Sequence, residues 1–242
     1  MQGLFGIDVV VLAGGLGTRI RGVLGDTPKV LAPINGRPFL DHLLDHLARL
    51  GAGRAVLCLG VGADRVTTHL DRHPPPLPVA SVLEPAPLGT AGALRHALPA
   101  LTSDPVMVMN GDTWLETDFT AFLAEHYRAE RPVSLLCVTV DDVSRYGQVE
   151  LADDGSVTRF AEKAPGRPRP GLINGGALLL SRRALDRLAA QSGPSLEQDF
   201  LGQLPSGWIH GWRADGAAFI DIGTPDSLAE ASGVLPRGKT ET

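Results

Sequence analysis

Ile7-Asp8-Val9-Val10-Val11-Leu12-Ala13-Gly14-Gly15-Leu16-Gly17-Thr18-Arg19 runs from an apolar strand into a glycine-rich turn and ends on a fixed cation. Ile7–Leu12 is short and almost wholly apolar, the pattern of a strand buried on both faces. Such strands belong to open sheets with helices on either side, whose ligands gather beyond the carboxyl ends. Glycine at 14, 15 and 17 lets the backbone approach a ligand closely and leaves N–H groups for phosphate oxygens. Arg19 adds a planar guanidinium suited to phosphate. Pro28-Lys29 follows ten residues later with a second cation.

Working outward, Ala55–Val61, Val79–Leu83 and Val106–Met109 repeat the buried-strand pattern. Between them, Leu40, Leu43, Leu44 and Leu47 share one helical stripe, bracketed by Pro38 and Gly51. Further helices are expected at Ala63–Arg72 and Thr90–Leu98. Alternating strands and helices imply right-handed crossovers and an α/β sheet with a parallel core. The second half is denser in strands: Ser134–Val140, Gly147–Leu151, Ser156–Glu162, Leu172–Leu180 and Ala217–Ile222, with Asp153-Asp154-Gly155 as a hairpin turn. Helices are expected at Asp118–Glu130, Arg182–Gln191, Leu196–Leu204 and Pro225–Ser232. His73–Pro78 and Ala164–Gly171 read as loops, the second as a mobile flap. No composition shift marks a linker, so residues 1–233 read as one domain and 234–242 as a frayed tail.

Composition narrows the function classes. The 242 residues are 43% hydrophobic with a formal charge of -5, enough chain for a core without disulfide or metal staples. No apolar run approaches the ~20 residues of a membrane span, and no secretory signal is expected. Mild acidity argues against nucleic acid as a partner. Cys58 and Cys137 lie in apolar strands without CxxC spacing, as buried hydrophobes of a cytoplasmic protein. His42 and His46 have the i,i+4 spacing of a metal clasp, but Leu43 stands where a zinc-protease motif needs Glu. Beside Asp41 and Asp45 they read as a solvated helix face. Trp208 and Trp212 read as packing residues.

Two familiar phosphate motifs fail. GxGxxG starting at Gly15 would need glycine at 20, where Ile20 stands, which disfavours a hydride-transfer enzyme. The only Gly-Lys pair, Gly238-Lys239, has no strand before it. LAGGLGTR at 12–19 with PK at 28–29 instead resembles the signature of the sugar-phosphate nucleotidylyltransferases. The resemblance continues in order through Leu88-Gly89-Thr90-Ala91-Gly92, Asn110-Gly111-Asp112, Phe160-Ala161-Glu162-Lys163, Asn174-Gly175-Gly176 and Asp221-Ile222-Gly223-Thr224-Pro225. Arg145-Tyr146-Gly147 matches a further element whose aromatic is structural. The resemblance implies a three-layer, Rossmann-like nucleotidyltransferase (GT-A-like) fold with a mixed, mainly parallel central sheet.

It also implies roles. A nucleoside triphosphate would lie against Leu12, Ala13, Gly14, Gly15, Gly17, Thr18, Arg19, Lys29, Gly89, Thr90 and Asp112. A sugar 1-phosphate would meet Gly147, Glu162, Lys163, Asn174 and Glu197. Arg19, Lys29, Asp112 and Lys163 would be catalytic, and Asp112 and Asp221 would hold Mg²⁺. Each residue has a plainer rival: Asp112 and Asp221 could cap turns, Ser195 could cap a helix beside Glu197, and Lys29 and Lys163 could be solvated. Oligomeric state is left open. Within the family, Ala32-Pro33-Ile34-Asn35-Gly36-Arg37-Pro38-Phe39-Leu40 resembles the D-glycero-α-D-manno-heptose 1-phosphate guanylyltransferases, which implies GTP and a GDP-heptose for surface polysaccharide. Val30-Leu31 departs from that subgroup's Pro-Met, keeping mannose, glucose and N-acetylmuramate 1-phosphates open. A catalytically silent nucleotide-sugar sensor is the non-enzymatic alternative.

Overall fold

The computed structural model describes residues 3–15, 17–161 and 169–236. The leading strand, β1 (Asp8–Leu12), is followed by one helical turn, α1 (Arg21–Leu24), and a small ribbon, β2 (Pro33–Ile34) with β3 (Arg37–Pro38). Then come α2 (Phe39–Arg49), β4 (Arg54–Leu59), α3 (Ala63–Arg72), β5 (Val79–Leu83), α4 (Gly89–Ala97) and β6 (Val106–Asn110). These match the alternation expected from sequence, α3 and β5 to the residue. The second half holds β7 (Thr113–Glu116), α5 (Phe119–Ala129), β8 (Val133–Val140), β9 (Gln148–Leu151), β10 (Val157–Ala161) and β11 (Gly171–Leu180). It closes with α6 (Arg182–Ala189), β12 (Ile209–Arg213), β13 (Ala218–Asp221) and α7 (Pro225–Val234).

Among the described residues the central sheet has nine strands, in the order β10-β9-β11-β6-β1-β4-β5, with β8 joining β11 to β12. It is mixed: β6, β1, β4 and β5 run parallel, and β11 enters antiparallel to β6, β8 and β9. The fold is thus an α/β architecture built on a mixed sheet. Alternate side chains of β1 point into different cores. Val9 and Val11 pack with α2, α5 and α7, whereas Val10 packs with α4 and α6. That two-sided burial is why the strand carries no polar alternation. Its one charged residue, Asp8, is 4% exposed and receives Arg54 through both Nε and Nη2.

Three expectations are corrected. His42 and His46 are not on a solvated face, being 3% and 4% exposed. Their Nε2 atoms lie 3.0 Å from Ile34 O and 3.1 Å from Leu115 O. The β2–β3 ribbon and β7 cover that side of α2, so each imidazole satisfies a backbone carbonyl within the fold. Burial first, then the Arg49 charge, lowers the pKa of His46. The single helix expected at Leu196–Leu204 is a π turn, Leu196–Phe200, followed by a 3₁₀ turn, Leu201–Gln203. Finally, the frayed tail cannot start at 234. Val234 ends α7, and Leu235 is 3% exposed with its carbonyl held by Asn35. Cys58 and Cys137 are buried free thiols, both pushed up to about 12, mainly by burial. No helix among the described residues is long and apolar enough to cross a membrane.

Candidate active site

The carboxyl ends of β1, β5 and β6 open on a cleft of about 490 Å³, and a second compartment of about 260 Å³ adjoins it. Arg19, Thr90, Asn110 and Asp112 line both. The larger compartment is walled by Leu12–Gly15, Gly17–Arg19, Lys29, Gly89 and Thr90, so the structure brings together every residue that the resemblance places around a triphosphate. Backbone pairing positions the glycine turn: Ala13 N–H donates to Cys58 O at 2.9 Å, and Gly111 N–H to Leu12 O at 2.9 Å. Lys29 opens a 3₁₀ turn, Lys29–Leu31, after Pro28, and its Nζ donates to Asp112 Oδ2 at 2.5 Å.

Gly147, Asn174 and Glu197 line the smaller compartment together with Tyr146 and Asp221. A register shift in β11 against β8, between Asn174 and Leu178, turns Asn174 toward this space. Its Nδ2 donates to Glu197 Oε1 at 2.8 Å, and its Oδ1 accepts the Gly176 N–H. Ser195 does cap its turn, its Oγ accepting from Gln198 N–H, yet that cap also delivers Glu197 to Asn174. Glu162 and Lys163 lie outside the described residues, as does most of the expected flap at Ala164–Gly171.

The two aspartates approach through a strand pair apart from the main sheet. Asp221, the last residue of β13, pairs with Thr113 of β7, and Ile222 N–H donates to Asp112 O at 2.9 Å. Asp221 is not the cap of α7. Thr224 fills that role in a capping box with Ser227. Asp221 Oδ1 instead accepts the Gly223 N–H, and its Oδ2 accepts the Tyr146 hydroxyl at 2.6 Å. Tyr146, expected as structural, does pack edge-on against Phe219, but its hydroxyl also belongs to the site.

Sequence reasoning missed Glu84, at the carboxyl end of β5. It lines the larger compartment, takes Leu88 N–H on Oε2 at 3.0 Å, and presses Oε1 against Gly14, where a Cβ would collide with it. A charge directly after a parallel strand was the available signal. Gly223, against Asp221 and Lys29, was missed as well, as were Asn110, which lines both compartments, and the Tyr146 hydroxyl.

A nucleotidyl transferase family model matches residues 8–237. The D-glycero-α-D-manno-heptose 1-phosphate guanylyltransferase of Aneurinibacillus thermoaerophilus is 31% identical over 226 residues, 93% of this chain and 96% of that protein. The mannose-1-phosphate guanylyltransferase of Mycobacterium tuberculosis is 32% identical over 96% of this chain and 65% of its own. HddC from Yersinia pseudotuberculosis, solved in complex with GMP-PN, superposes with a TM-score of 0.83 at 35% identity, covering 94% of this chain and 98% of that one. With the match spanning both compartments, the chain belongs to the nucleotidyl transferase family.

Proposed function

We propose that the protein is a sugar 1-phosphate guanylyltransferase that uses GTP, with D-glycero-α-D-manno-heptose 1-phosphate as its sugar substrate. The observation that carries this reading is the meeting of two compartments at Arg19, Thr90, Asn110 and Asp112. The larger takes the nucleotide and the smaller the sugar phosphate. A sugar-phosphate oxygen bonds to the α-phosphorus of GTP while the bond from that phosphorus to the β-bridging oxygen breaks, and pyrophosphate leaves with the electron pair. A phosphate monoester loses its second proton near pH ~6, so the nucleophile needs no general base. The protein's work is to align two polyanions and neutralise them. Arg19 and Lys29 would hold the triphosphate, and Asn174 and Glu197 the sugar hydroxyls. Lys163 and Glu162 keep the sugar-side roles that the resemblance implies.

Glu84 supports guanine. Guanine presents N1–H and its 2-amino group side by side, and one carboxylate can accept both. Uracil and thymine present a single N–H between two carbonyls, which a carboxylate repels. The relatives described as guanylyltransferases point the same way.

Asp112 and Asp221 offer oxygen donors alone, and no group of three or more His, Cys, Asp or Glu suited to a metal occurs among the described residues. Two carboxylates with the remaining positions left to phosphate and water are the set that suits Mg²⁺ rather than a soft transition metal. Bound there, Mg²⁺ would withdraw charge from the phosphate oxygens. We place the reaction in the cytoplasm, as the two free thiols suggest.

Pyrophosphate release tests the reading, with four triphosphates against heptose, mannose and glucose 1-phosphates in Mg²⁺. GTP with the heptose phosphate should give the highest kcat/KM. A preference for mannose 1-phosphate would revise the sugar. Tight nucleotide binding without turnover of any pair would make the chain a silent sensor.

A further inference from the structure

Helix α4 is fastened at both ends to the segment that leads to Glu197. Ala91 N–H donates to Pro194 O at 2.8 Å, and Arg95 Nη2 to Gly193 O. Gly89, at φ +73°, lies so close that a Cβ would sit 2.5 Å from Pro194 O. The third tie comes from a side chain in the cleft: Leu196 N–H donates to Thr90 Oγ1 at 2.8 Å.

Leu196 opens the π turn, so its N–H is one of the leading donors that a helix leaves without an internal partner. The neighbouring donors are met within the segment, Ser195 N–H by Asp199 Oδ2 and Gln198 N–H by Ser195 Oγ. The Leu196 donor is met from outside, by Thr90. Leu196 itself is 6% exposed and shares a core with Ala91 and Leu94 of α4. The next residue, Glu197, receives Asn174 Nδ2. An unbroken path therefore runs from the nucleotide wall to the sugar side.

We propose that Thr90 is a positioning residue for the sugar phosphate: its hydroxyl oxygen holds the Leu196 amide and so sets Glu197 against Asn174. This rests on the assignment of the smaller compartment to the sugar. It departs from the family resemblance, which places Thr90 with the nucleotide.

Thr90→Val keeps the β-branched shape and removes the acceptor, whereas Thr90→Ser keeps the acceptor. Three quantities are compared with wild type: KM for the sugar 1-phosphate at saturating GTP, the calorimetric Kd of a non-hydrolysable GTP analogue, and hydrogen exchange at the Leu196 amide. In Thr90→Val the sugar KM should rise about tenfold, the size of effect expected when a buried donor loses its partner. Nucleotide Kd should weaken by clearly less than the sugar KM, Leu196 exchange should quicken, and Thr90→Ser should restore the sugar KM and the exchange. A nucleotide Kd weakened as much as the sugar KM would overturn the proposal, as would an unchanged sugar KM despite faster exchange. Should Thr90→Val fail to fold, Thr90→Ala against Thr90→Ser carries the same comparison. Wild-type protein without turnover would count against the guanylyltransferase reading, and calorimetric binding of each substrate would then decide the role of Thr90.

Discussion

Gly223→Ala isolates the placement of two charged groups in one methyl. A Cβ at Gly223 would stand 2.5 Å from Asp221 Oδ1 and 3.3 Å from Lys29 Nζ. Ordinary contact begins at 3.4 Å, so the carboxylate must retreat and the ammonium must give slightly. Gly223 is not among the positive-φ glycines, so alanine adds no left-handed strain, and the perturbation falls on Asp221 and Lys29. The retreat is roughly 1 Å, the scale at which a misplaced catalytic group costs on the order of a hundredfold in rate. We expect kcat/KM for pyrophosphate release to fall by about that factor, roughly 2.7 kcal/mol of transition-state stabilisation. A local cost of about 1 kcal/mol should move Tm by only about 2–4 °C in a chain of this size. GTP-analogue affinity, read by calorimetry, should weaken less than kcat/KM, because Arg19 and the glycine turn are untouched. Activity within threefold of wild type would refute the reasoning, since Asp221 and Lys29 would then tolerate displacement. A collapse in Tm with proportionate loss of activity would refute it too, making Gly223 a folding residue.

Three further predictions follow from individual groups. Glu84→Gln trades a paired acceptor for one acceptor and one donor, so kcat/KM with GTP should fall about ten- to a hundredfold, the worth of a charged hydrogen bond, and less with UTP. An unchanged GTP-to-UTP ratio would remove Glu84 from base selection. Asp112→Asn should abolish Mg²⁺-dependent turnover while Tm stays near wild type, and full activity in that variant would end its assignment to the metal. His126 is 5% exposed and pushed down to about 4, chiefly by burial. Between that value and the ordinary 6.5 the unfolded chain binds the proton that the folded chain refuses. Its contribution is thus complete above pH ~6.5 and declines by about 3 kcal/mol as pH falls toward 4. Urea unfolding at pH 7.5 and 4.5 should show a smaller difference for His126→Gln than for wild type, and an equal difference would refute the assignment.

What the sequence discloses about this protein divides by the range of the forces involved. The strands of the parallel half are legible because burial on both faces leaves runs such as Val9-Val10-Val11 and Val106-Met107-Val108-Met109 with no polar alternation. The leucine stripe of α2 is legible because its apolar residues recur at helical spacing. His42 and His46 were misread because the groups that bury them, Ile34 O and Leu115 O, lie 8 and 69 residues away. Nothing in the local pattern Asp41-His42-Leu43-Leu44-Asp45-His46 separates a wet face from one capped by backbone. Within the site, the glycine turn and its cations stand out as a string, and the collinear motifs locate Asn174 and Glu197. Glu84 does not stand out, since its meaning depends on Gly14, seventy residues earlier, lacking a side chain.

The least legible feature governs the geometry of the two aspartates. Asp112 lies where the chain leaves β6 for β7, and Asp221 ends the strand that pairs with β7. Read separately, each is a carboxylate at a strand end, and turn capping explains either one equally well. The ladder removes that ambiguity. Thr113 opposes Asp221, and Ile222 N–H bonds Asp112 O, so the separation of the carboxylates is set by β-register rather than by flexible loops. Because side chains alternate across a strand, a slip of one residue in β13 would turn Asp221 to the other face and bring Ile220 or Ile222 toward Asp112. The apolar partners Trp114, Leu115 and Ile220 are 0%, 0% and 7% exposed, and their burial opposes that slip. The core packing of a four-residue strand thereby specifies where the second carboxylate stands.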